Sequence, residues 1–174
     1  MVAVSDTHIR ARDPGLPGPL VEILRTADHI IHAGDYVCME VLEYLRSLAD
    51  TTAVSGNMDP PDIIKNLPRK AAVTLQEHRI GLIHGHQAHE LKLVHGGPDD
   101  DYQSPSMLPF YKYLEAEFPD CKAIIFGHFH VPGVVEWSDR LLINPGSITA
   151  YGGRGSCAML SLDAGKLDAE IIYF

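Results

Sequence analysis

Long apolar runs, basic clusters and paired cysteines are all scarce in this sequence of 174 residues. No apolar run approaches the ~20 residues that a membrane-spanning helix needs, so we expect no membrane segment. The N-terminus has no basic stretch followed by an apolar stretch and a cleavage site, which argues against a secretory signal. The three cysteines are widely separated and odd in number, and this pattern does not predict a disulfide framework. We therefore expect a cytoplasmic protein.

Positive charge is also scarce. Lys and Arg number 14 against 23 Asp and Glu, which gives a formal net charge of −9. Nucleic-acid binders usually carry a basic face, because phosphate contacts supply most of their affinity. The longest basic cluster here is Arg69-Lys70, so a long nucleic acid is not an expected partner. The ten histidines, by contrast, are many for this length, and their positions carry the functional interpretation.

The first half of the chain alternates short β-branched runs with amphipathic stretches, which predicts βαβ units and a parallel sheet. Later, a helix at Leu108–Phe118 and a strand at Ala123–Phe126 precede four more strands that we predict to form an antiparallel meander. These four strands are Val134–Trp137, Leu141–Asn144, Cys157–Leu162 and Asp168–Tyr173. Together the elements predict an α/β fold of two mixed β-sheets packed face to face and flanked by helices.

We expect residues 1–174 to form one domain, because the sequence contains no linker, repeat or low-complexity tract. Residues 88–107 are rich in Gly, Pro, Asp and Ser and are predicted to be a long loop. A loop of that length in a compact domain is typical of a functional lid. His89 and His95 lie in it and are interpreted either as solvent-exposed loop residues, which is favoured, or as substrate contacts.

Five short polar motifs each follow an apolar strand. Polar side chains at strand ends project into a common crevice, where open α/β sheets bind ligands. Glycine beside a ligand position lets the backbone turn and approach closely. One such motif alone is more often a turn, but five in this order predict a shared site. The motifs are Asp6-Thr7-His8, Gly34-Asp35, Gly56-Asn57-Met58-Asp59, His84-Gly85-His86 and Gly127-His128-Phe129-His130.

These motifs resemble those of the calcineurin-like metallophosphoesterase superfamily. The small size, the string Leu82–His86 and the loop Asn144–Ser147 are similar to its short bacterial and archaeal phosphodiesterase branch. The resemblance implies a four-layer metallophosphoesterase sandwich that binds two divalent metal ions. The first ion would be held by Asp6, His8, Asp35 and His130, and the second by Asn57, His84 and His128, with Asp35 bridging both. Oxygen and imidazole ligands suit Mn, Fe, Co, Ni or Zn, and Mn²⁺ is the expected ion.

The resemblance also implies a reaction, namely hydrolysis of a small phosphodiester by a hydroxide bound to both metals. Asp35 and Asn57 would be catalytic through the metals that they hold. The family often has a proton-donating histidine after the Asn, but this chain has Met58, whose thioether cannot donate a proton. A diester with an acidic leaving group would suffer least from that loss. Asp59, which would orient the missing histidine, is interpreted as a cap of the turn that follows it.

His86 is the nearest substitute for the missing proton donor. It is interpreted either as a catalytic group that contacts or protonates the phosphate ester, or as a histidine that orients a metal ligand.

Two other functions are considered. A non-catalytic metal-binding scaffold for protein interactions would resemble the retromer subunit of the same fold, but all seven ligand positions are filled here, which favours catalysis. A processive nuclease would need further domains and a basic track. The expected partner is therefore a small phosphodiester, and exposed apolar strand edges are a possible surface for a homo-oligomer.

Overall fold

The structure is a computed structural model that describes residues 1–10, 15–93, 101–149 and 154–174. These ranges contain ten β-strands, five α-helices and one 3₁₀ turn, at Pro105–Met107. The strands are β1 Val2–Val4, β2 His29–His32, β3 Asp50–Ala53, β4 Lys70–Leu75, β5 His78–Ile83, β6 Ala123–Phe126, β7 Gly133–Trp137, β8 Arg140–Asn144, β9 Ser156–Asp163 and β10 Lys166–Tyr173. The helices are α1 Gly18–Leu24, α2 Met39–Leu48, α3 Pro61–Asn66, α4 Gln87–Glu90 and α5 Leu108–Glu117.

The strands form two five-stranded sheets, and both are mixed as predicted. The first sheet has the order β10-β9-β1-β2-β3, in which β1, β2 and β3 are parallel and β9 runs antiparallel to β1. The second has the order β4-β5-β6-β8-β7, in which β5, β6 and β8 are parallel. The central strands β1 and β6 are apolar throughout because both of their faces are buried, whereas β3, at the edge of its sheet, is polar and partly exposed.

Alternate residues of the central strands enter different layers of the core. Ile31 of β2 and Ile125 of β6 share a buried cluster that lies between the two sheets. Their neighbours point the opposite way, as the two-residue period of a strand requires. Ile30 packs with α1 and α2, and Ile124 packs with α5. The order of layers is therefore helix, sheet, sheet, helix, which confirms the predicted four-layer sandwich.

The predicted antiparallel meander is wrong. Its four strands form two hairpins, and the hairpins belong to different sheets. The β7–β8 hairpin joins β6 through a parallel pairing with β8, whereas the β9–β10 hairpin joins β1. Alternating hydrophobicity indicates that a segment is a strand but does not specify its partner, which tertiary packing selects. Helix α3, which begins at Pro61, and the short helix α4 were not predicted from the sequence.

Part of the predicted lid at 88–107 lies outside the described residues, namely 94–100, and so does His95. The flanking parts are ordered by packing. Ala88 and Met107 are buried in the cluster around α5, and the Tyr102 hydroxyl donates to the Val131 carbonyl at 2.5 Å. Across the described ranges, no helix is both long and apolar enough to cross a membrane.

His32 ends β2 as a fully buried neutral imidazole. The Gly34 amide donates to its Nδ1 at 3.1 Å, its Nε2 lies 3.2 Å from the Thr7 hydroxyl, and its ring stacks on Tyr36 at 3.7 Å. Burial lowers the pKa of His32 from 6.5 to about 3, because the charged form cannot be solvated there. Protonation of Nδ1 would also remove the acceptor of the Gly34 amide.

We predict that His32 makes the stability of the metal-free protein depend on pH. Between about pH 6.5 and 3 the unfolded chain binds a proton that the folded chain refuses, so stability falls as the pH falls through this window. One such proton contributes ~1.4 kcal/mol per pH unit. Urea unfolding across this range should show a slope shallower by about this amount for His32→Gln than for the wild type. Equal slopes would contradict the assignment.

Candidate metal centre

The candidate ligands lie where the parallel strands end, as predicted. Asp6 follows β1 and Asp35 follows β2 in the first sheet, while His84 follows β5 and His128 follows β6 in the second. Because the two sheets pack face to face, these ends meet at one edge of the sandwich. Asn57 reaches the same edge from the loop after β3.

One group of ligand atoms consists of the side chains of Asp6, His8 and His130. The Nε2 atoms of the two histidines lie 3.1 Å apart. Asp6 Oδ1 lies 3.3 Å from His130 Nε2 and 3.8 Å from His8 Nε2. These three are the predicted ligands of the first ion, apart from the bridging aspartate.

A second group is centred on His84. Its Nε2 lies 3.3 Å from Asp35 Oδ2, 3.1 Å from Asn57 Oδ1 and 4.0 Å from Asp6 Oδ1. Asp35 Oδ2 is also 3.8 Å from His8 Nε2, so this one oxygen faces both groups. That position is the one expected of a bridging carboxylate.

The arrangement of donor atoms fits a cation. Ligands about 2.1 Å from a metal ion and 90–110° apart are separated from each other by about 3.0–3.4 Å. The donor atoms of His8 and His130 are 3.1 Å apart, which matches this value. His84 Nε2 lies 3.1 Å from Asn57 Oδ1 and 3.3 Å from Asp35 Oδ2, which also match. Asp6 Oδ1 is buried, accepts no well-aligned hydrogen bond from the described residues, and faces imidazole nitrogens at 3.3 Å or more. A buried carboxylate oxygen left without a donor is costly unless a cation neutralises it.

The charges within the site compensate one another. Burial alone raises the pKa values of Asp6 and Asp35, but His130 and His84 outweigh it, so both carboxyl pKa values lie below the ordinary range. Burial likewise disfavours a charged His84, yet Asp35 and Asp6 raise its pKa to about 9. Without metal, a proton on His84 supplies the positive charge. Because a metal ion cannot bind a protonated nitrogen, metal binding must release this proton.

The orientation of His84 is set by the neighbouring sheet. Its Nδ1 donates to the Ala33 carbonyl at 2.7 Å, which leaves Nε2 facing Asp35. A metal-ligating histidine usually donates its other ring N–H to such a partner, because the hydrogen bond fixes both tautomer and ring orientation. The two sheets are thus joined at the site by one imidazole.

The backbone at the site adopts conformations that ordinary residues avoid. Five candidate ligands have φ between 47° and 70°, in the left-handed region: Asp6, His8, Asp35, His128 and His130. Such residues are strained and cluster at functional sites. Two glycines make room for the carboxylates. A Cβ at Gly56 would lie 2.0 Å from Asp35 Oδ1, and one at Gly127 would lie 2.6 Å from Asp6 Oδ2.

Asp59 is not a cap of the following turn, as the sequence analysis interpreted it. Its buried carboxylate accepts four backbone N–H groups instead, from Asp35 at 3.1 Å, Tyr36 at 2.6 Å, Val37 at 3.0 Å and Gly56 at 2.8 Å. Burial raises its pKa in spite of these donors. Asp59 therefore ties the Gly-Asp loop to the Gly-Asn loop. The sequence contains no signal for this role, because three of the four donors belong to a distant part of the chain.

The loop Asn144–Ser147 holds the backbone of the site in place through side-chain hydrogen bonds. The Asn144 side-chain amide donates to the Gly127 carbonyl at 3.0 Å, and the Ser147 hydroxyl donates to the Asp6 carbonyl at 2.8 Å. The His128 amide in turn donates to Asp6 Oδ2 at 2.9 Å. These contacts join the first and the last motifs of the chain.

His128 falls outside both close groups of donor atoms among the described residues. Its ring lies 5.3 Å from that of His84, and its Nε2 lies 2.7 Å from Nδ1 of His89. With Nε2 engaged, Nδ1 is the nitrogen that remains for a cation. His89 was interpreted as a solvent-exposed lid residue. It is exposed, but it belongs to α4 and contacts a candidate ligand, which its spacing in the sequence did not reveal.

His86 lies beside the metal groups, with its ring 5.4 Å from that of His84. Arg69 Nη2 lies 3.2 Å from His86 Nε2. Arginine can only donate, so Nε2 accepts and the proton of the neutral ring sits on Nδ1. That nitrogen is buried and has no hydrogen-bond partner among the described residues. Burial also lowers the pKa of His86.

A four-layer sandwich with aspartate and histidine side chains converging at one edge defines a metallophosphoesterase-type protein, and comparison with known proteins agrees. The calcineurin-like phosphoesterase superfamily domain matches residues 1–165. A probable metallophosphoesterase from Methanothermobacter thermautotrophicus is 35% identical over 170 residues, which cover 97% of this chain and 89% of that protein. The chain therefore belongs to the calcineurin-like phosphoesterase superfamily, which confirms the resemblance and implies divalent metal ions.

Solved structures share the fold. Vacuolar protein sorting 29 from Cryptosporidium parvum has a TM-score of 0.71 at 22% identity and covers 99% of this chain and 96% of its own. An archaeal phosphodiesterase has a TM-score of 0.64 at 21% identity and covers 98% of each chain. At these identities the similarity establishes the fold alone.

We predict that Asp59→Asn destabilises the protein and weakens metal binding. An amide has only one acceptor oxygen, so two buried N–H groups lose their acceptor, at a cost on the order of 3 kcal/mol. Urea unfolding in the presence of a chelator measures this cost, and calorimetric titration with Mn²⁺ measures the metal affinity. Asp62→Asn is the matched control, because Asp62 is exposed in the first turn of α3 and should contribute less than about 1 kcal/mol. Similar losses in both variants would refute the role of Asp59.

A second prediction concerns His89. If its ring orients His128, His89→Ala should weaken the binding of a divalent metal at His128 by about 10- to 100-fold, as the loss of such partners does at other metal sites. Titration calorimetry of the chelator-treated protein with Mn²⁺ measures the affinity. The control is His29→Ala, at the amino end of β2, away from the site. Unchanged metal affinity would count against the contact.

Proposed function

We propose that the chain is a metal-dependent phosphodiesterase that hydrolyses a small phosphodiester with two divalent metal ions, and that residues 1–174 act as one domain. The observation that carries this proposal is the convergence of carboxylate, amide and imidazole donors at metal-ligand spacing around a buried Asp6 oxygen that lacks a hydrogen-bond donor.

The proposed ligands are Asp6, His8, Asp35, Asn57, His84, His128 and His130, with Asp35 bridging. Two divalent ions bound there would neutralise phosphate charge and lower the pKa of water. Asp6 and Asp35 return only two negative charges, so the loaded site stays cationic within an acidic protein and attracts an anionic substrate. The donor set suits Mn, Fe, Co, Ni or Zn, of which we propose Mn²⁺.

Within the catalytic role considered for His86, phosphate contact has better support than protonation of the leaving group. A general acid must be protonated at the working pH, whereas burial keeps the pKa of His86 below its usual range. The neutral ring still carries a proton on Nδ1, which has no partner among the described residues. This N–H group is the donor that a catalytic His86 would direct at a phosphate oxygen, although its nitrogen is buried in this structure.

The leaving group must therefore depart with little help. The Met58 side chain is 59% exposed, and its backbone N–H donates to Asp35 Oδ1 at 2.8 Å, which places it at the mouth of the site. The Met58 thioether has no proton to give to a leaving group. A diester with an acidic leaving group tolerates this best, because a weakly basic oxygen needs little protonation.

A protein-interaction scaffold is the second candidate, favoured by the similarity to vacuolar protein sorting 29. Scaffolding alone would not require the left-handed conformations of five candidate ligands, which are strained by about 1–3 kcal/mol each. Their retention in one cluster favours catalysis.

We predict that the protein, freed of metal and resupplied with Mn²⁺, hydrolyses bis(4-nitrophenyl) phosphate faster than 4-nitrophenyl phosphate. Removal of outer-shell partners costs about 10- to 100-fold at metal sites, so loss of the bridging ligand in Asp35→Ala should cost at least about 100-fold. Release of nitrophenolate measures both rates.

Asp50→Ala is the control, because Asp50 is exposed at the amino end of β3, and its rate should equal that of the wild type. Parallel assays with Fe²⁺, Co²⁺, Ni²⁺ and Zn²⁺ test the choice of metal. If no metal gives a rate above that of Asp35→Ala, the enzyme proposal fails and the scaffold remains.

A further inference from the structure

A groove of about 330 Å³ lies next to the candidate metal centre, between α4, α5 and the ends of β4 and β5. We call it the Tyr113 groove. Its volume is at the lower end of the range for small-molecule sites, about 300–1,000 Å³. The side chains that form it include Arg69, Ile83, Gln87, Glu90, Leu91 and Tyr113.

The Tyr113 groove and the metal centre share a wall. Arg69 lines the groove and also contacts His86 Nε2 at 3.2 Å, and the His86 ring is 5.4 Å from that of His84. Ile83, in the groove, directly precedes His84 in the chain. A diester that is bound at the metal centre and contacts His86 would direct one substituent toward Arg69 and the groove.

The walls of the Tyr113 groove are mostly apolar. Ile83 is buried, Leu91 is 55% exposed, and the partly buried Tyr113 ring lies nearly parallel to that of Phe110. An exposed leucine beside an aromatic ring offers surface that a ligand can cover with a gain in free energy.

The charged groups at the rim of the groove are already paired. Arg69 forms an ion pair with Glu90 at 2.9 Å, and Lys70 forms one with Glu117 at 2.5 Å. Among the described residues that line the groove, positive and negative charges are therefore balanced, which disfavours an anionic group deep in the groove. The Arg69 guanidinium, which also contacts His86, is suited to a phosphate oxygen at the edge of the groove.

We propose that the Tyr113 groove binds the non-departing arm of the diester, and that this arm is an uncharged aromatic ring stacked against Tyr113. The inference rests on the proposed function and specifies its substrate class. The planar faces of the Tyr113 ring and the Arg69 guanidinium favour a flat ring over a flexible chain or a saturated ring.

The test uses three diesters that share a 4-nitrophenolate leaving group and differ only in the second arm: phenyl, cyclohexyl or methyl. We expect kcat/KM to be highest for phenyl, with an advantage of about tenfold or more over methyl. Leu91→Asp and Tyr113→Ala should reduce the phenyl-to-methyl ratio by about the same factor. Tyr113→Phe, which keeps the ring, should preserve it.

Tyr173→Ala is the matched control, because this exposed aromatic residue lies on β10, at the edge of the first sheet, and its loss should leave the ratio unchanged. If the wild type cleaves all three diesters and the groove variants leave the ratio unaltered, the groove is refuted while the proposed function stands. If cyclohexyl matches phenyl, the aromatic class is wrong. If no diester is cleaved, the proposed function fails and the inference fails with it.

Discussion

Two buried carboxylates, those of Asp6 and Asp35, face the same imidazole nitrogen of His84 at one edge of the sandwich. Two negative charges so near each other and shielded from water are tolerated only where positive charge compensates them. Without metal, protonated imidazoles supply that charge, and bound cations would supply more of it. The lowered pKa values of the two carboxyl groups and the raised pKa of His84 follow from this requirement, and the hydrogen bond to the Ala33 carbonyl holds His84 in place to meet it.

Holding these side chains together strains the backbone, and packing elsewhere in the fold offsets the free energy of that strain. Five candidate ligands have left-handed backbone conformations, and glycines at 56 and 127 are the residues that let the chain pass close to the carboxylates. Close-packed layers on both sides make the strained loops sustainable, because the interior cannot deform to relieve them. The four hydrogen bonds to Asp59 concentrate this support at one point.

Three features of the site and its surroundings bear on the class of substrate that we propose. The position after Asn57 offers no proton, His86 is kept neutral by burial, and the neighbouring groove has paired charges and apolar walls. Each of these features favours an activated diester with an uncharged arm over a monoester with a poor leaving group. The acidity of the whole protein is compatible with an anionic substrate, because local charge at the metal centre decides binding.

The sequence by itself determined the class of fold, the family and the strand-end positions of all seven candidate ligands, since apolar runs followed by Asp, Asn or His are local patterns. Strand β6 was predicted at its observed bounds. Only the tertiary structure decided which sheet each late strand joins, because the two-residue period of a strand does not specify the strand beside it. The contacts of Asp59 and His89 and the presence of the Tyr113 groove were decided in the same way. They depend on contacts between residues distant in the chain, and such contacts exist only after the layers have packed.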